Sequence, residues 1–262
     1  MSVLSQTARI GQSLDIPNVS ELVGNALPVE DYRGKKILLI VPDSTRTAPV
    51  GLLFKTIYDQ IGKSTEALDV MIALGTHPPM SEKEICERLE ISEDQRQTRY
   101  ESVKFHNHEW DNPDALREIG VIPASDISKL SGGRFEMELP VTINQRLFDY
   151  DQLIIVGPVF PHEVVGFSGG NKYLFPGVSG PELLNFFHWL GAVISNPKIN
   201  GHKWTSVRKV VDRAGGMVNV EKRCFAMVVR PDKSLAGLFF GTPESAWEAA
   251  VDLSDKTHII YK

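Results

Sequence analysis

Short apolar runs recur along the chain, and each is about as long as one β-strand. Four of them are nearly continuous, at residues 36–41, 68–74, 152–159 and 224–229. Strands that are buried on both faces have this composition, because neither face must be polar, and they are typical of parallel sheets. Between the runs the apolar residues follow a helical period, at residues 50–61, 81–88, 112–118 and 181–194. The alternation predicts an α/β fold.

The remaining segments complete this prediction. Residues 243–251 resemble a last helix and residues 257–261 a last strand, and two further strands whose pairing stays open are predicted at residues 102–105 and 135–143. We expect a Rossmann-like layered fold in which helices flank a mainly parallel sheet. Because no fixed-period repeat divides the chain, we treat residues 1–262 as one α/β domain.

The composition argues against several functional classes. The chain has 262 residues, of which 42% are hydrophobic, and a formal net charge of −5. No uncharged apolar run approaches the roughly 18 residues of a membrane span. Acidic residues outnumber basic ones, which gives no electrostatic reason to expect nucleic acid as a partner. The N-terminal residues lack a secretory signal, and Cys86 and Cys224 lack the CxxC spacing of a zinc or redox site. We expect a cytoplasmic protein whose partner is a small molecule.

Unusual residues follow the first predicted strand. Ligands of open α/β sheets bind beyond the carboxyl ends of the strands, so these positions are the first place to look for chemistry. Asp43, Ser44, Thr45 and Arg46 stand there, directly before a predicted helix. Their side-chain oxygens and the free backbone N–H groups at the start of the helix can bind a nucleotide, and the guanidinium of Arg46 can form paired hydrogen bonds to a phosphate or carboxylate. The plainer reading is a helix cap beside a surface arginine.

A glycine-rich segment, Gly-Phe-Ser-Gly-Gly-Asn-Lys, occupies residues 166–172. Gly169 and Gly170 let the backbone approach a ligand closely, and Lys172 follows them. The segment is not a Walker A loop, because Tyr173 stands where that motif needs Ser or Thr. Lys172 can contact a phosphate or form a covalent bond to a cofactor. The alternative is a surface loop with a solvated lysine.

Three histidines occupy positions suited to chemistry. His77 and His162 each follow a predicted strand, so both can reach one crevice and act as general acids or bases. His188 lies in a predicted helix and can bind a metal ion through a ring nitrogen. Singly, each histidine is more often structural than catalytic, but the placement of His77 and His162 after predicted strands favours function. A zinc enzyme that uses all three is one candidate.

Taken together, these motifs resemble the nickel-pincer nucleotide-dependent lactate racemase family, in the order found there. The matching segments are Asp-Ser-Thr-Arg at 43–46, Gly-Thr-His at 75–77, His162 with Lys172 ten residues later, Pro-Gly at 176–177 and His188. The resemblance implies that Lys172 carries the nickel-pincer nucleotide through a thioamide and that His188 completes the coordination of nickel. It also implies that His77 and His162 are paired catalytic bases. The remaining cofactor-binding residues that it implies are Asp43, Ser44, Thr45, Arg46, Gly169 and Gly170.

The function implied by this resemblance is racemisation or epimerisation of a 2-hydroxy acid by hydride abstraction and return. A non-catalytic module that binds the cofactor or a nucleotide, and needs another chain for turnover, is the alternative. One departure is Pro78, because family members commonly carry arginine directly after the histidine. A second is the length, because family enzymes have a second α/β domain. We therefore expect either the first domain of such an enzyme or a short form that needs a partner or lacks racemase activity.

Overall fold

The strand that follows Lys35 lies near the middle of a large sheet. A computed structural model describes residues 2–259, and their strands in chain order are β1 (Leu4–Thr7), β2 (Lys36–Pro42), β3 (Ala67–Ala73), β4 (Phe105–Asn107), β5 (Leu116–Ile122), β6 (Leu139–Asn144), β7 (Gln152–Pro158), β8 (Pro161–His162), β9 (Gly166–Phe167), β10 (Glu221–Val229) and β11 (Leu235–Gly241). The helices are α1 (Ile16–Ala26), α2 (Val29–Tyr32), α3 (Val50–Ile57), α4 (Glu82–Arg88), α5 (Glu93–Gln97), α6 (Ala124–Ser131), α7 (Pro181–Ile194), α8 (Ser206–Gly215) and α9 (Pro243–His258).

The main sheet has the strand order β1-β11-β10-β7-β2-β3-β4 among the described residues. The strands from β10 to β4 run parallel, whereas β11 and β1 are antiparallel additions at one edge. The prediction of a mainly parallel α/β sheet flanked by helices is therefore confirmed. The chain leaves β2 in one direction, to β3 and β4, and later returns on the other side through β7. This reversal makes the gap between β2 and β7 the switch point where such sheets bind ligands.

The sheet is buried on both faces, which explains the continuous apolar runs. In β2, Leu38 and Ile40 belong to one core and Ile37, Leu39 and Val41 to the other. Each of these five side chains is at most 1% exposed, and burial of such a side chain stabilises the fold by about 1.5–3 kcal/mol. Helices α7, α8 and α9 contribute residues to the first core, and α1 and α3 contribute to the second.

Some predicted elements differ from the structure. The helix predicted at residues 112–118 is wrong: Pro113–Ala115 form a single 3-10 turn, and β5 follows and pairs with β6. The predicted strands at 102–105 and 135–143 correspond only in part to β4 and β6. In the predicted strand at 257–261, Thr257 and His258 belong to α9, and Ile260 and Tyr261 lie outside the described residues. No helix in residues 2–259 is long and apolar enough to cross a membrane.

Candidate active site

A cleft of about 270 Å³ opens beside the switch point. It is bounded by the segments that follow β2, β3 and β7 and by one side of α7. The predicted site residues that line it are Asp43, Arg46, His77, His162, Lys172 and His188. Groups separated by up to 145 positions in the chain therefore meet around one small volume. This convergence is what a shared functional site requires.

Four other predicted site residues do not line the cleft. Ser44 is exposed, and Thr45 donates its hydroxyl to Asp43 at 2.6 Å. Gly169 and Gly170 have φ angles of +88° and +59°, which favour glycine. A Cβ on Gly169 would lie 2.5 Å from the Val159 side chain, so packing also requires glycine there. These glycines shape the segment before Lys172, and their contact with a cofactor stays a prediction.

Asp43 and His77 form a close pair in the cleft. Oδ2 of Asp43 lies 2.5 Å from Nδ1 of His77, and Oδ1 accepts the hydroxyl and the backbone N–H of Thr45. Burial opposes ionisation of Asp43, but the hydrogen bonds from Thr45 and His77 outweigh it and lower the pKa of the carboxyl group. Because the carboxylate accepts the proton on Nδ1, the lone pair of a neutral His77 lies on Nε2. This is the arrangement of a general base.

His162 lies in a different environment. It is 5% exposed, and its Nδ1 accepts the backbone N–H of Val164 at 3.1 Å. Burial, followed by the positive charges of Lys172 and Arg46, lowers the pKa of His162 to about 2. The ring is therefore neutral near pH 7, so the carboxylate of Glu163, 3.6 Å away, does not form an ion pair with it. The single ring proton lies on Nε2, so His162 presents a hydrogen-bond donor there.

Lys172 has the properties of a nucleophilic amine. Burial, followed by the positive charges of Arg46 and Arg208, lowers the pKa of Lys172 to about 7. In residues 2–259 no carboxylate oxygen lies within 4 Å of its Nζ. The ring of Phe187 lies 5.8 Å from this nitrogen. A large share of the Lys172 side chains is therefore uncharged near pH 7, as covalent chemistry requires.

His188 is exposed on α7 at the edge of the cleft. Its Nδ1 lies 3.0 Å from the carbonyl oxygen of Leu184, one helical turn earlier. A carbonyl oxygen only accepts, so the proton lies on Nδ1 and the lone pair on Nε2. Metal-binding histidines are commonly oriented in this way, with the second nitrogen donating to a backbone carbonyl. His188 can thus supply one nitrogen ligand.

Within the described residues, no group of three or more His, Cys, Asp or Glu side chains is arranged to hold a metal ion. His77, His162 and His188 line one cleft but do not form such a group. The zinc enzyme that the three histidines suggested therefore finds no support. A cofactor that brings most of its own metal ligands needs only one from the protein, and the family resemblance assigns that place to His188, which stays a prediction.

Comparisons with known proteins identify one family. The family model of the lactate racemase N-terminal domain matches residues 4–200, which is more than half of the chain. The chain belongs to this family. A lactate racemase of Thermoanaerobacterium thermosaccharolyticum is 29% identical over 62% of this chain and 34% of its own length. A lactate racemase of Lactiplantibacillus plantarum is 25% identical over 95% of this chain and 54% of its own length.

Solved structures have the same fold. A crystal structure of a protein from Thermotoga maritima is 30% identical and superposes with a TM-score of 0.86, over 96% of this chain and 61% of that one. The lactate racemase apoprotein of T. thermosaccharolyticum has a TM-score of 0.68 at 22% identity, over 90% of this chain and 54% of that one. The matched part of this chain thus covers about half of the L. plantarum racemase and about a third of the T. thermosaccharolyticum racemase.

Residues beyond the span matched by the family model support the glycine segment. Arg208 of α8 is fully buried and donates to the carbonyl oxygens of Phe167 and Gly169, and its guanidinium lies 4.1 Å from the ring of Trp247. Trp247 of α9 donates its indole N–H to the carbonyl of Ser168 at 2.8 Å. Three successive carbonyls are thereby fixed just before Lys172. The sequence analysis missed both residues, because their spacing along the chain carries no motif.

Other residues of the cleft also escaped the sequence analysis. Tyr173, Glu163 and Phe187 line it beside the predicted groups. Each is adjacent to a predicted residue, and that adjacency was the only signal available. Ser168, by contrast, is buried and hydrogen-bonds to the backbone of Pro158 and Phe160, so its role is structural.

Proposed function

We propose that this chain forms the cofactor-bearing domain of a lactate racemase-like isomerase that acts on 2-hydroxy acids. The observation that carries the proposal is the single cleft shared by His77, His162, Lys172 and His188. Membership of the lactate racemase N-terminal domain family supports the same reaction class. The cofactor and the substrate are tested separately.

The residues of the cleft fit the nickel-pincer nucleotide. Lys172 offers an amine that is largely uncharged near pH 7, which suits a covalent bond to the cofactor. His188 offers Nε2 as the one nitrogen ligand that a pincer with three donor atoms of its own would need from the protein. The chemistry that the bound group supplies is reversible acceptance of a hydride. The protein then has to bind the acid, orient it and move its hydroxyl proton.

His77 and His162 divide the proton transfer unequally. His77 can accept the hydroxyl proton at Nε2, because Asp43 holds the other ring proton and stabilises the resulting imidazolium. His162 presents an N–H at Nε2 and hydrogen-bonds to the substrate oxygen from a second direction. To serve as the base for the opposite enantiomer, His162 must release Val164 or turn its ring. We propose this rearrangement as part of the reaction cycle.

The substrate carboxylate requires a cation. Arg46 lines the cleft, its guanidinium lies 5.6 Å from the ring of Phe160, and it forms no ion pair with a carboxylate within the part of the chain that the structure describes. A guanidinium held against an aromatic face can form two parallel hydrogen bonds to a carboxylate. We propose that Arg46 orients the acid by this contact.

We propose that residues 1–262 are one family domain and that a second domain completes the site. The chain covers 34% and 54% of the two lactate racemases that it matches, and the cleft is open to solvent at His188. The same observations favour the alternative function, a module that binds the cofactor and needs another domain or chain for turnover. The two candidates differ only in whether the isolated chain turns over substrate.

The test begins with co-expression of the chain and the enzymes that make the cofactor, followed by intact-mass and metal analysis. We expect a mass shift that Lys172→Arg abolishes and nickel that His188→Ala removes. An unmodified Lys172 under these conditions would falsify the cofactor proposal. Loaded protein is then incubated with single enantiomers of lactate and other 2-hydroxy acids. Racemisation by the isolated chain eliminates the carrier alternative, and binding without turnover supports it.

A further inference from the structure

The side chain of Asn171, directly before Lys172, is held between two carboxylates. Asn171 is 0% exposed. Its Nδ2 donates to Oδ1 of Asp212 at 3.1 Å and to Oε1 of Glu244 at 2.7 Å. Asp212 belongs to α8 and Glu244 to the first turn of α9, so both lie beyond residues 4–200, which the family model matches. Two helices outside the matched span therefore hold the residue next to the amine.

Packing alone does not account for an asparagine at this position. Oδ1 of Asn171 is buried without a hydrogen-bond partner among the described residues, and a buried acceptor without a partner destabilises the folded state. The amide also lies tightly against α8, because a Cβ on Gly215 would be 2.5 Å from Cγ of Asn171. An apolar side chain of similar size would avoid the unpaired oxygen. What the amide provides is a fixed direction, since both of its N–H groups are bound.

The direction of Asn171 sets the direction of Lys172. Gly170–Tyr173 form a 3-10 turn, in which three residues complete one turn, so successive side chains point about 120° apart. The carbonyl oxygen of Asn171 accepts the N–H groups of Leu174 and Phe175 at 2.9 and 2.8 Å, which fixes the backbone as well. With Asn171 directed toward α8 and α9, Lys172 is directed into the cleft.

We infer that Asp212 and Glu244 are positioning residues for Lys172, because through Asn171 they hold its amine in the cleft. Neither carboxylate is among the described residues that line the cleft, so both act on its chemistry only through Asn171. That the amine carries a cofactor rests on the proposed function, whereas the position of the amine can be measured without any cofactor. The inference gives α8 and α9 a part in the site besides the contacts of Arg208 and Trp247.

The test compares two double variants of the cofactor-free chain. Asp212→Ala with Glu244→Ala removes both acceptors, whereas Asp212→Asn with Glu244→Gln removes the same two charges but keeps oxygens that can accept from Asn171. Lys172 is modified with an amine reagent at a series of pH values, and mass spectrometry gives the modified fraction. In the alanine variant we expect the midpoint of modification to rise by at least about one pH unit, toward that of an exposed lysine, because Lys172 leaves its buried position. The variant with Asn and Gln should keep the midpoint of the parent chain.

Glu248→Ala is the matched control, because Glu248 is on the same helix as Glu244 and its side chain is 53% exposed. It should leave the midpoint unchanged. If the double alanine variant does not fold, Glu244→Ala against Glu244→Gln gives the same comparison at an exposed residue. The charged groups that act on Lys172 most strongly are the same in every variant; they are Asp43, Arg46, Glu163 and Arg208.

Two outcomes would overturn the inference. A parental midpoint in the alanine variant would show that Lys172 keeps its place without either carboxylate. Equal shifts in the two double variants would show that the charge of Asp212 and Glu244, and not their hydrogen bonds, acts on the amine. The mass shift on Lys172 after co-expression is a separate measurement on the parent chain, so failure of the proposed function is distinguishable from failure of this inference.

Discussion

The imidazole of His77 lies 2.5 Å from the carboxylate of Asp43, although 34 positions separate them in the chain. Adjacent parallel strands explain the contact. Pro42 at the end of β2 is in register with Ala73 at the end of β3, so the segments that follow the two strands emerge side by side. The pair is therefore a product of sheet topology, and its chemistry can be tested by changing the carboxylate alone.

Replacement of Asp43 by Asn should lower racemisation by the loaded protein about 10²–10⁴-fold, the usual contribution of a positioned acid or base. The amide can donate to Nδ1 of His77, which moves the ring proton to Nε2 and removes the lone pair needed there. The ¹⁵N shifts of the His77 ring report this change of tautomer without any turnover. Asp31→Asn, at an exposed site on α2, is the control and should leave both measurements unchanged. An unaltered tautomer in Asp43→Asn would contradict the assignment.

Substitution of Lys172 by Met should stabilise the folded chain near neutral pH. The pKa of Lys172 is lowered from 10.5 to about 7, so below pH 7 the folded state holds a poorly solvated ammonium. Between pH 7 and 10.5 the folded state is neutral while the unfolded state is still protonated, so the destabilisation shrinks as the pH rises. The gain from Lys172→Met should therefore shrink between about pH 7 and about pH 10.

Urea unfolding of both proteins between about pH 7 and about pH 10 measures how much Lys172→Met raises the free energy of unfolding. Lys83→Met removes a lysine whose side chain is 86% exposed and should show no such trend. A constant difference between Lys172→Met and the parent chain would indicate that burial does not perturb this lysine.

Much of the fold could be predicted because the main strands are buried on both faces. The runs that form most of β2, β3, β7 and β10 are almost entirely apolar, so only burial on both faces of a sheet suits them. The helix predicted at residues 112–118 overlaps the start of β5, because Leu116–Ile122 mixes exposed and half-buried residues and pairs only with β6, outside the main sheet. β11 escaped prediction because its glycines interrupt the apolar pattern.

The candidate site was predictable to the extent that its residues follow strands or belong to motifs. His77 and His162 each stand four residues beyond the end of a main strand, β3 and β7, so the position of that strand limits where the side chain can emerge. Arg208 and Trp247 could not be found in this way, because they act on backbone carbonyls from helices more than 30 residues later in the sequence. A carbonyl has no sequence signature, so its donors become visible only in three dimensions.

Gly157→Ala should destabilise the chain by about 1–3 kcal/mol, the usual cost of an overpacked core. Gly157 is in β7, and a Cβ there would overlap the ring of Tyr173, which lines the cleft. Gly216→Ala is the control, because a Cβ at that position would lie 3.6 Å from its nearest neighbours, an ordinary contact. Urea midpoints give the two values. Equal effects of the two substitutions would show that Tyr173 moves aside freely.

Removal of the buried guanidinium at Arg208 should affect both stability and Lys172. Arg208→Met leaves the carbonyls of Phe167 and Gly169 without these donors, so we expect a loss of about 3 kcal/mol in the free energy of unfolding. Arg213→Met on the same helix is the matched control. Arg213 pairs only at the surface, 3.5 Å from Asp126, and should cost at most about 0.5 kcal/mol.

The pH dependence of Lys172 modification shows whether Arg208 influences this amine or only packs beside the glycine-rich segment. Burial is the larger cause of its lowered pKa, and the positive charges of Arg46 and Arg208 contribute further. Arg208→Met should therefore move the modification of Lys172 by an amine reagent, followed by mass spectrometry, to higher pH. Arg213→Met should leave the profile in place. If Arg208→Met destabilises the chain but leaves that profile unchanged, Arg208 supports the glycine segment without influencing the amine that the segment carries.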